Sequence, residues 1–143
     1  MRTLAKNTRG FTLIELLIVM VILGLLTALV GPRMFGHVSS SKIKAARAQI
    51  EMMGTALDTF RLDYGRYPKT EDGLAILWNK PEDEQLATQW RGPYLKKKVE
   101  KDPWGSFYVY AAPGEHGEYD LSSLGADGKP GGSGDDADIN SWE

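Results

Sequence analysis

The chain has 143 residues, which allows one domain and a short additional segment. Its formal net charge is −2, so a clustered basic surface is not expected, and we predict no nucleic-acid partner. It contains no cysteine, which excludes disulfides as a source of stability for an exported domain. Hydrophobic residues are unevenly distributed, and that distribution indicates the class of protein.

The longest apolar segment covers residues 11–30 and contains a single charged residue, Glu15. A helix of this length spans roughly 30 Å, the thickness of the hydrocarbon core of a bilayer. Three basic residues precede the segment: Arg2, Lys6 and Arg9. They predict that the N-terminus stays in the cytoplasm and that the rest of the chain crosses the membrane. A secretory signal peptide is the alternative, although this apolar run is longer than a typical signal core and contains a carboxylate.

Gly31 and Pro32 follow the apolar segment, and proline removes an amide donor, so a kink or break is expected there. Residues 39–64 then show one apolar stripe at helical spacing. Its members are Ile43, Ala46, Ile50, Met53, Leu57, Phe60 and Tyr64. The stripe predicts an amphipathic helix that packs on its own domain and ends at Gly65.

The chain from about residue 66 to residue 143 consists of short elements between turns. Thr70 is a candidate cap for a brief helix through Leu77. Residues 107–110 and 119–122 are rich in aromatic and hydroxyl side chains, and they predict two strands. A helix and a sheet that each have one apolar face bury those faces against each other. We therefore predict an α+β fold, with the long helix packed on a small antiparallel sheet.

Glu15 is the most informative residue of the apolar segment. A carboxylate at membrane depth costs a few kcal/mol, so it implies a partner, and the nearest cations in the sequence, Arg9 and Arg33, lie beyond the two ends of the segment. Two interpretations remain open. Glu15 reaches back to the membrane interface, as polar side chains near helix ends do, or a second molecule supplies the cation.

The stretch Arg9-Gly10-Phe11-Thr12-Leu13-Ile14-Glu15 resembles the signal of type IV pilins and pseudopilins. In that family a membrane peptidase cuts after the glycine, and the new N-terminal residue is N-methylated. The resemblance implies cleavage between Gly10 and Phe11, N-methylation of Phe11, and a prepilin peptidase and N-methyltransferase as a partner. The new ammonium group on Phe11 would then pair with Glu15 of a neighbouring subunit.

Motifs in the rest of the chain narrow the resemblance to the major pseudopilins of type II secretion. They are Tyr64–Pro68, Thr70–Leu74, Gly92–Leu95, Lys101–Gly105, Gly117–Asp120, Ser123–Gly128, Ala137–Ile139 and Trp142. The resemblance implies a pilin-like fold and a structural major subunit, not an enzyme. Such a subunit polymerises into a periplasmic filament that drives export of folded proteins across the outer membrane. A type IV pilus major pilin, for adhesion or DNA uptake, is the alternative, because both classes share the N-terminal motif.

The same resemblance implies a division of the chain into three parts. These are a leader at residues 1–10, a transmembrane and filament-core helix at 11–32, and a periplasmic domain at 33–143. The protein is expected in the bacterial inner membrane, with a single pass and its C-terminal domain in the periplasm. Its expected partners are copies of itself, minor pseudopilins, and an inner-membrane assembly platform with its ATPase.

Residues 125–138 form a glycine-rich stretch with four carboxylates: Asp127, Asp135, Asp136 and Asp138. By composition, one interpretation is a disordered acidic tail. Calcium is the other, because it binds six to eight oxygens from carboxylates and backbone carbonyls, although the spacing does not match an EF-hand. The resemblance favours Ca²⁺ as the cofactor. It implies as ligands the carbonyl of Leu124, the carboxylate of Asp127, and one or more of Asp135 and Asp136, with Asp138 a weaker candidate.

Motifs for catalysis are missing from the sequence, which has no cysteine nucleophile and no G-x-S-x-G elbow. His116 lies close to Glu115 and Glu118 and is a candidate transition-metal ligand. No second histidine lies nearby in the sequence, so a solvated turn is the favoured interpretation of His116.

Overall fold

The computed structural model describes residues 10–143, without the side chains of residues 31–38. The chain divides into two units at the boundary between Val38 and Ser39. The basic residues used above to predict orientation, Arg2, Lys6 and Arg9, lie outside the described residues, as does the leader up to residue 9.

The first helix, α1, runs from Leu13 to Tyr64 and has 52 residues. Its first part, Leu13–Val30, is exposed, and by length and composition it is the one candidate membrane span among the described residues. The helix continues through Gly31 and Pro32, so a break there is wrong, whereas a kink stays a prediction. A proline removes one backbone hydrogen bond at a cost of about 3 kcal/mol, and helix propagation on both sides maintains the element across that gap.

The apolar stripe predicted on the second part of α1 is confirmed. Five of its members are at most 4% exposed: Ala46, Ile50, Met53, Leu57 and Phe60. The two at its ends, Ile43 and Tyr64, are partly buried and pack against this core. The stripe follows one face of the helix because residues three and four positions apart lie above one another.

A 3-10 helix at Leu74–Leu77 follows α1, and its N-cap is Gly73. Thr70 therefore does not cap this helix as predicted. Its hydroxyl instead accepts a hydrogen bond from the amide of Ala112 at 2.9 Å and donates to the carbonyl of Ala112 at 3.2 Å. Thr70 thus joins the segment before the 3-10 helix to the end of the first strand.

A second helix, α2, spans Glu84–Gln89 and was not predicted. Asp83 caps it, because the Asp83 carboxylate accepts a hydrogen bond from the amide of Leu86 at 2.9 Å. The residue after α2, Trp90, donates its indole N–H to the carbonyl of Ile76 at 2.9 Å, which holds this short helix against the 3-10 helix.

The sheet has three antiparallel strands in the order β1-β2-β3: Val109–Ala111, Asp120–Ser123 and Ile139–Asn140. The first two confirm the predicted strands at 107–110 and 119–122, with bounds shifted toward the C-terminus. The third was not predicted, because two residues are too few to show alternation. Its partner is β2, with Ser123 opposite Ile139. Leu121 of β2 and Ile139 of β3 are buried and belong to the same core as the stripe of α1, so the predicted packing of helix on sheet is confirmed.

Asp102 is a buried carboxylate in the turn that precedes β1, and it is only 5% exposed. It accepts hydrogen bonds from the amides of Trp104 and Ser106 at 3.0 and 2.9 Å. It also accepts one from the hydroxyl of Ser123 in β2 at 2.6 Å. These three bonds connect the turn to the central strand of the sheet.

Replacing Asp102 with alanine is expected to lower the free energy of unfolding by about 3 kcal/mol, because three donors lose their acceptor in a buried place. Urea unfolding followed by tryptophan fluorescence measures this. Ser123→Ala removes only one of the three bonds and is expected to cost about 1 kcal/mol. Equal losses for the two variants would contradict this account of the turn.

Candidate functional site

Glu15 lies in the first turn of α1, and its side chain is bonded to Thr12, the residue before the helix. The Glu15 Oε2 atom accepts hydrogen bonds from the backbone N–H of Thr12 at 3.0 Å and from its hydroxyl at 3.1 Å. The Thr12 hydroxyl in turn accepts one from the amide of Glu15 at 3.3 Å. This reciprocal arrangement is a capping box, and it satisfies donors at a helix start that would otherwise lack partners.

The capping box changes the account of Glu15 given by the sequence. The sequence signal of this motif, Thr-x-x-Glu before an apolar run, is present at residues 12–15 and is independent of the charge of Glu15. Thr12 supplies hydrogen bonds from the same chain, yet it supplies no positive charge. Among the ion pairs of residues 10–143, Glu15 has none, and its Oε1 atom accepts no hydrogen bond there. Both interpretations of its charge, the membrane interface and a second molecule, therefore stay open.

Gly10 and Phe11 precede the capping box and are exposed. The Phe11 side chain is 83% exposed, and a Cβ added to Gly10 would meet no atom within 4 Å. Neither residue belongs to the helix. Gly10 and Phe11 thus lie in an exposed segment outside regular structure, the kind of segment in which proteolytic cleavage concentrates.

Thr12→Ala is expected to destabilise the first turn of α1 by about 1 kcal/mol, because it removes the N-cap hydroxyl. Amide hydrogen exchange at residues 13–16, measured on the full chain in detergent micelles, is expected to become roughly fivefold faster. Thr27→Ala is the matched control. The Thr27 hydroxyl donates to the carbonyl of Leu23 at 2.8 Å within the same apolar helix, so its loss leaves the first turn unchanged. Unchanged exchange in Thr12→Ala would contradict the capping box.

The glycine-rich stretch at residues 125–138, called the acidic loop below, lies between β2 and β3 and is closed at its base. The amide of Ala126 donates to the carbonyl of Asp135 at 2.8 Å. Gly125 has φ +65°, and a Cβ there would lie 2.8 Å from the carbonyl oxygens of Asp135 and Ala137. Both the backbone conformation and the space require glycine at this position. The loop is therefore a folded turn, and the interpretation as a disordered tail is not supported.

The four carboxylates of the loop have different environments. Asp127 accepts from the amide of Lys129 at 3.0 Å, and Asp136 is exposed. Asp135 Oδ1 accepts from the hydroxyl of Ser39 on α1. Within residues 10–143, no three carboxylate or imidazole side chains come together as a metal-binding cluster.

Asp138 is the carboxylate with an unsatisfied atom. Its Oδ2 accepts from the amide of Gly131 at 2.9 Å. Its Oδ1 is buried and, among the described residues, has no hydrogen-bond partner. A buried carboxylate oxygen without a donor is destabilising, and a cation can supply the missing interaction. Calcium also takes backbone carbonyls as ligands, so the donors of this loop fit a hard cation even though they include no cluster of three side chains.

His116 contacts Asp120 in β2 and Trp142 near the C-terminus. Its Nδ1 lies 3.0 Å from Asp120 Oδ2, and its ring stacks on Trp142 with centroids 4.0 Å apart. Burial raises the pKa of Asp120, but hydrogen bonds from His116 and from the amides of Glu115 and His116 outweigh it, so the pKa lies below its ordinary value. These contacts occupy the imidazole, which agrees with a structural role in a turn.

Two family models match this chain. The one described as type II secretion system protein G matches residues 33–142, and the one described as the prokaryotic N-terminal methylation motif matches residues 5–31. The first covers nearly all of the unit that begins at Ser39. The second covers Gly10, Phe11 and Glu15.

Curated relatives match over almost their whole length. A type II secretion system core protein G from Pseudomonas aeruginosa is 46% identical over 138 residues, which cover 96% of this chain and 97% of the relative. Another from Vibrio cholerae is 41% identical, with 99% and 96% covered.

A solved structure shows a similar fold. It is the crystal structure of the major pseudopilin from the type 2 secretion system of enterohaemorrhagic Escherichia coli. The TM-score is 0.61 at 31% sequence identity, with 76% of this chain and 92% of that chain covered. The predicted pilin-like architecture, an N-terminal apolar helix with a small antiparallel sheet, is confirmed.

Proposed function

This chain belongs to the type II secretion system protein G family, and from that membership we propose how its residues build a working filament. The chain is the structural major subunit of the type II secretion pseudopilus, the filament that drives export of folded proteins across the outer membrane. The comparisons favour this function over that of a type IV pilus major pilin. Its family is one of structural subunits, in agreement with the sequence prediction.

The N-terminus is the site of processing in this proposal. A prepilin peptidase cuts between Gly10 and Phe11, and the new amine of Phe11 is N-methylated. The exposure of both residues and the match to the methylation motif support this. The segment Leu13–Val30 then anchors the subunit in the inner membrane with a single pass, and residues 33–143 lie in the periplasm.

Assembly depends on the charge of Glu15. The capping box satisfies Glu15 Oε2 within its own chain. The carboxylate still lacks a cation, and the ammonium of Phe11 on a neighbouring subunit supplies it. At about 4 Å and an effective dielectric constant near 20, this attraction is about 4 kcal/mol, from which the desolvation of both ions is subtracted. Its main effect is on register, because any other stagger leaves two charges unpaired in an apolar medium.

Glu15→Gln separates the two roles of this side chain. Glutamine can keep the capping box but carries no charge. We expect the variant to insert into the membrane like the parent and to form fewer filaments, by about tenfold or more. Electron microscopy of filaments from cells that contain the other secretion components measures this. Thr12→Ala, which keeps the charge and removes the cap, is the matched comparison. Glu15→Gln filaments of normal number and spacing would show that the charge has no role in register.

The proposed partners of this subunit are other components of a type II secretion system. Subunits wait in the inner membrane and are added at the filament base by an assembly platform with its ATPase, and minor pseudopilins join the same filament. Membership of the family supports this order of events. Deleting the protein is expected to leave folded exoproteins in the periplasm.

The acidic loop binds one calcium ion in this proposal. Its ligands are the carbonyl of Leu124 and carboxylates among Asp127, Asp135, Asp136 and Asp138. The observation that carries the claim is the buried, unpartnered Oδ1 of Asp138, which moves Asp138 from a weaker candidate to a principal one. Because this chain has no cysteine to form disulfides, the ion takes the place of a cross-link in the C-terminal region. The free energy of calcium binding then contributes to folding.

Calcium is expected to raise the melting temperature of the full chain above its value in chelator. At a hundredfold excess over Kd the stabilisation is about 2.7 kcal/mol, or about 10 °C or more for a domain of this size. Asp138→Asn and Asp127→Asn are expected to lose most of this shift. Glu82→Gln, which removes an exposed carboxylate outside the loop, is expected to keep it. Equal melting temperatures of the parent in calcium and in chelator would refute calcium binding.

A further inference from the structure

Ser39 on α1 is hydrogen-bonded to the acidic loop. Ser39 is the first residue of the compact unit, and its hydroxyl donates to Asp135 Oδ1, a residue 96 positions later. Hydroxyls inside a helix often bond to the carbonyl four residues earlier instead. Thr55 and Thr59 do so in this helix, at 3.1 and 2.9 Å. The hydroxyl of Ser39 is therefore used for a contact between α1 and the loop.

Asp135 is held from its backbone as well. Its carbonyl accepts from the amide of Ala126, which closes the base of the loop, and it lies in the 3-10 turn Gly134–Asp136. With Oδ1 bonded to Ser39, the Oδ2 atom accepts no hydrogen bond among the described residues. The carboxylate thus has one oxygen fixed by the helix and one available to a ligand. Asp136, its neighbour, is exposed as Asp135 is, but its carboxylate accepts no hydrogen bond from the described residues.

We propose that Ser39 is a positioning residue for the metal, acting through Asp135. This inference rests on the proposed calcium binding, and it selects Asp135 over Asp136 as the second carboxylate of the site. Hydrogen-bond partners of metal-binding carboxylates fix their orientation, and their loss typically weakens metal binding by about 10- to 100-fold. By linkage, the metal that holds Asp135 also steadies the turn of α1 that contains Ser39.

The test is a calcium titration by calorimetry on the full chain in detergent micelles. Ser39→Ala is expected to raise the calcium Kd by about tenfold. Ser40→Ala, at the exposed neighbouring position, is expected to leave the Kd within about twofold, since surface changes have small effects. Ser39→Thr keeps the hydroxyl and is expected to restore binding close to that of the parent.

A second arm separates positioning from general stability. Calcium is expected to slow amide exchange at residues 39–44 in the parent and in Ser40→Ala, but not in Ser39→Ala. In an Asp135→Asn background, Ser39→Ala is expected to change the Kd no further, because the two residues act through one contact. Two results would overturn the inference and leave Ser39 with a structural role only. In the first, Ser39→Ala and Asp135→Asn weaken calcium binding independently. In the second, Ser39→Ala lowers the melting temperature equally in calcium and in chelator without changing the Kd.

The outcome for the parent distinguishes the two claims. A parent chain that binds no calcium refutes the calcium site and this inference together. A parent that binds calcium, with Ser39→Ala binding equally tightly, refutes only the role of Ser39.

Discussion

The carboxylate of Glu15 at the start of an apolar helix imposes two separate requirements on this chain. Its lone pairs need donors, and Thr12 provides them within the same helix turn. Its negative charge needs a cation in a medium of low polarity, and a threonine cannot provide one. The described residues of a single subunit meet the first requirement, whereas in the proposed filament another subunit meets the second. The first turn of the helix can therefore form in a single subunit, and the charge of Glu15 is neutralised only in the proposed assembly.

One continuous helix connects that requirement to the folded domain. The part at Leu13–Val30 is exposed, while the stripe from Ala46 to Phe60 forms the centre of the core. The first part is apolar on nearly all sides and the second on one face, and among the described residues only the second packs against other parts of the chain. Exposed apolar surface of this extent is expected to be covered by lipid or by other copies of the helix.

Features that depend on local pattern were predictable, and those that depend on distant contacts were not. The stripe of α1 and the first two strands follow from periodicity and β-propensity. The continuous helix at Pro32 was missed because propensity gives the cost of a proline but not the cooperativity that offsets it. The two-residue strand β3 exists only through its pairing with β2. The contact of Ser39 with Asp135 spans 96 positions, so no local pattern in the sequence indicates it.

The C-terminal third of the chain is held by polar contacts instead of covalent links. Asp102 ties its turn to β2, and His116 stacks on Trp142 near the chain end. The acidic loop is bonded to α1 through Ser39, and a buried oxygen of Asp138 has no hydrogen-bond partner in the part of the chain that the structure describes. A single cation at this loop would satisfy that oxygen and close the loop at once, as a disulfide does in other exported domains. Because metal binding stabilises only the folded state, the stability of this region would then follow the concentration of calcium around it.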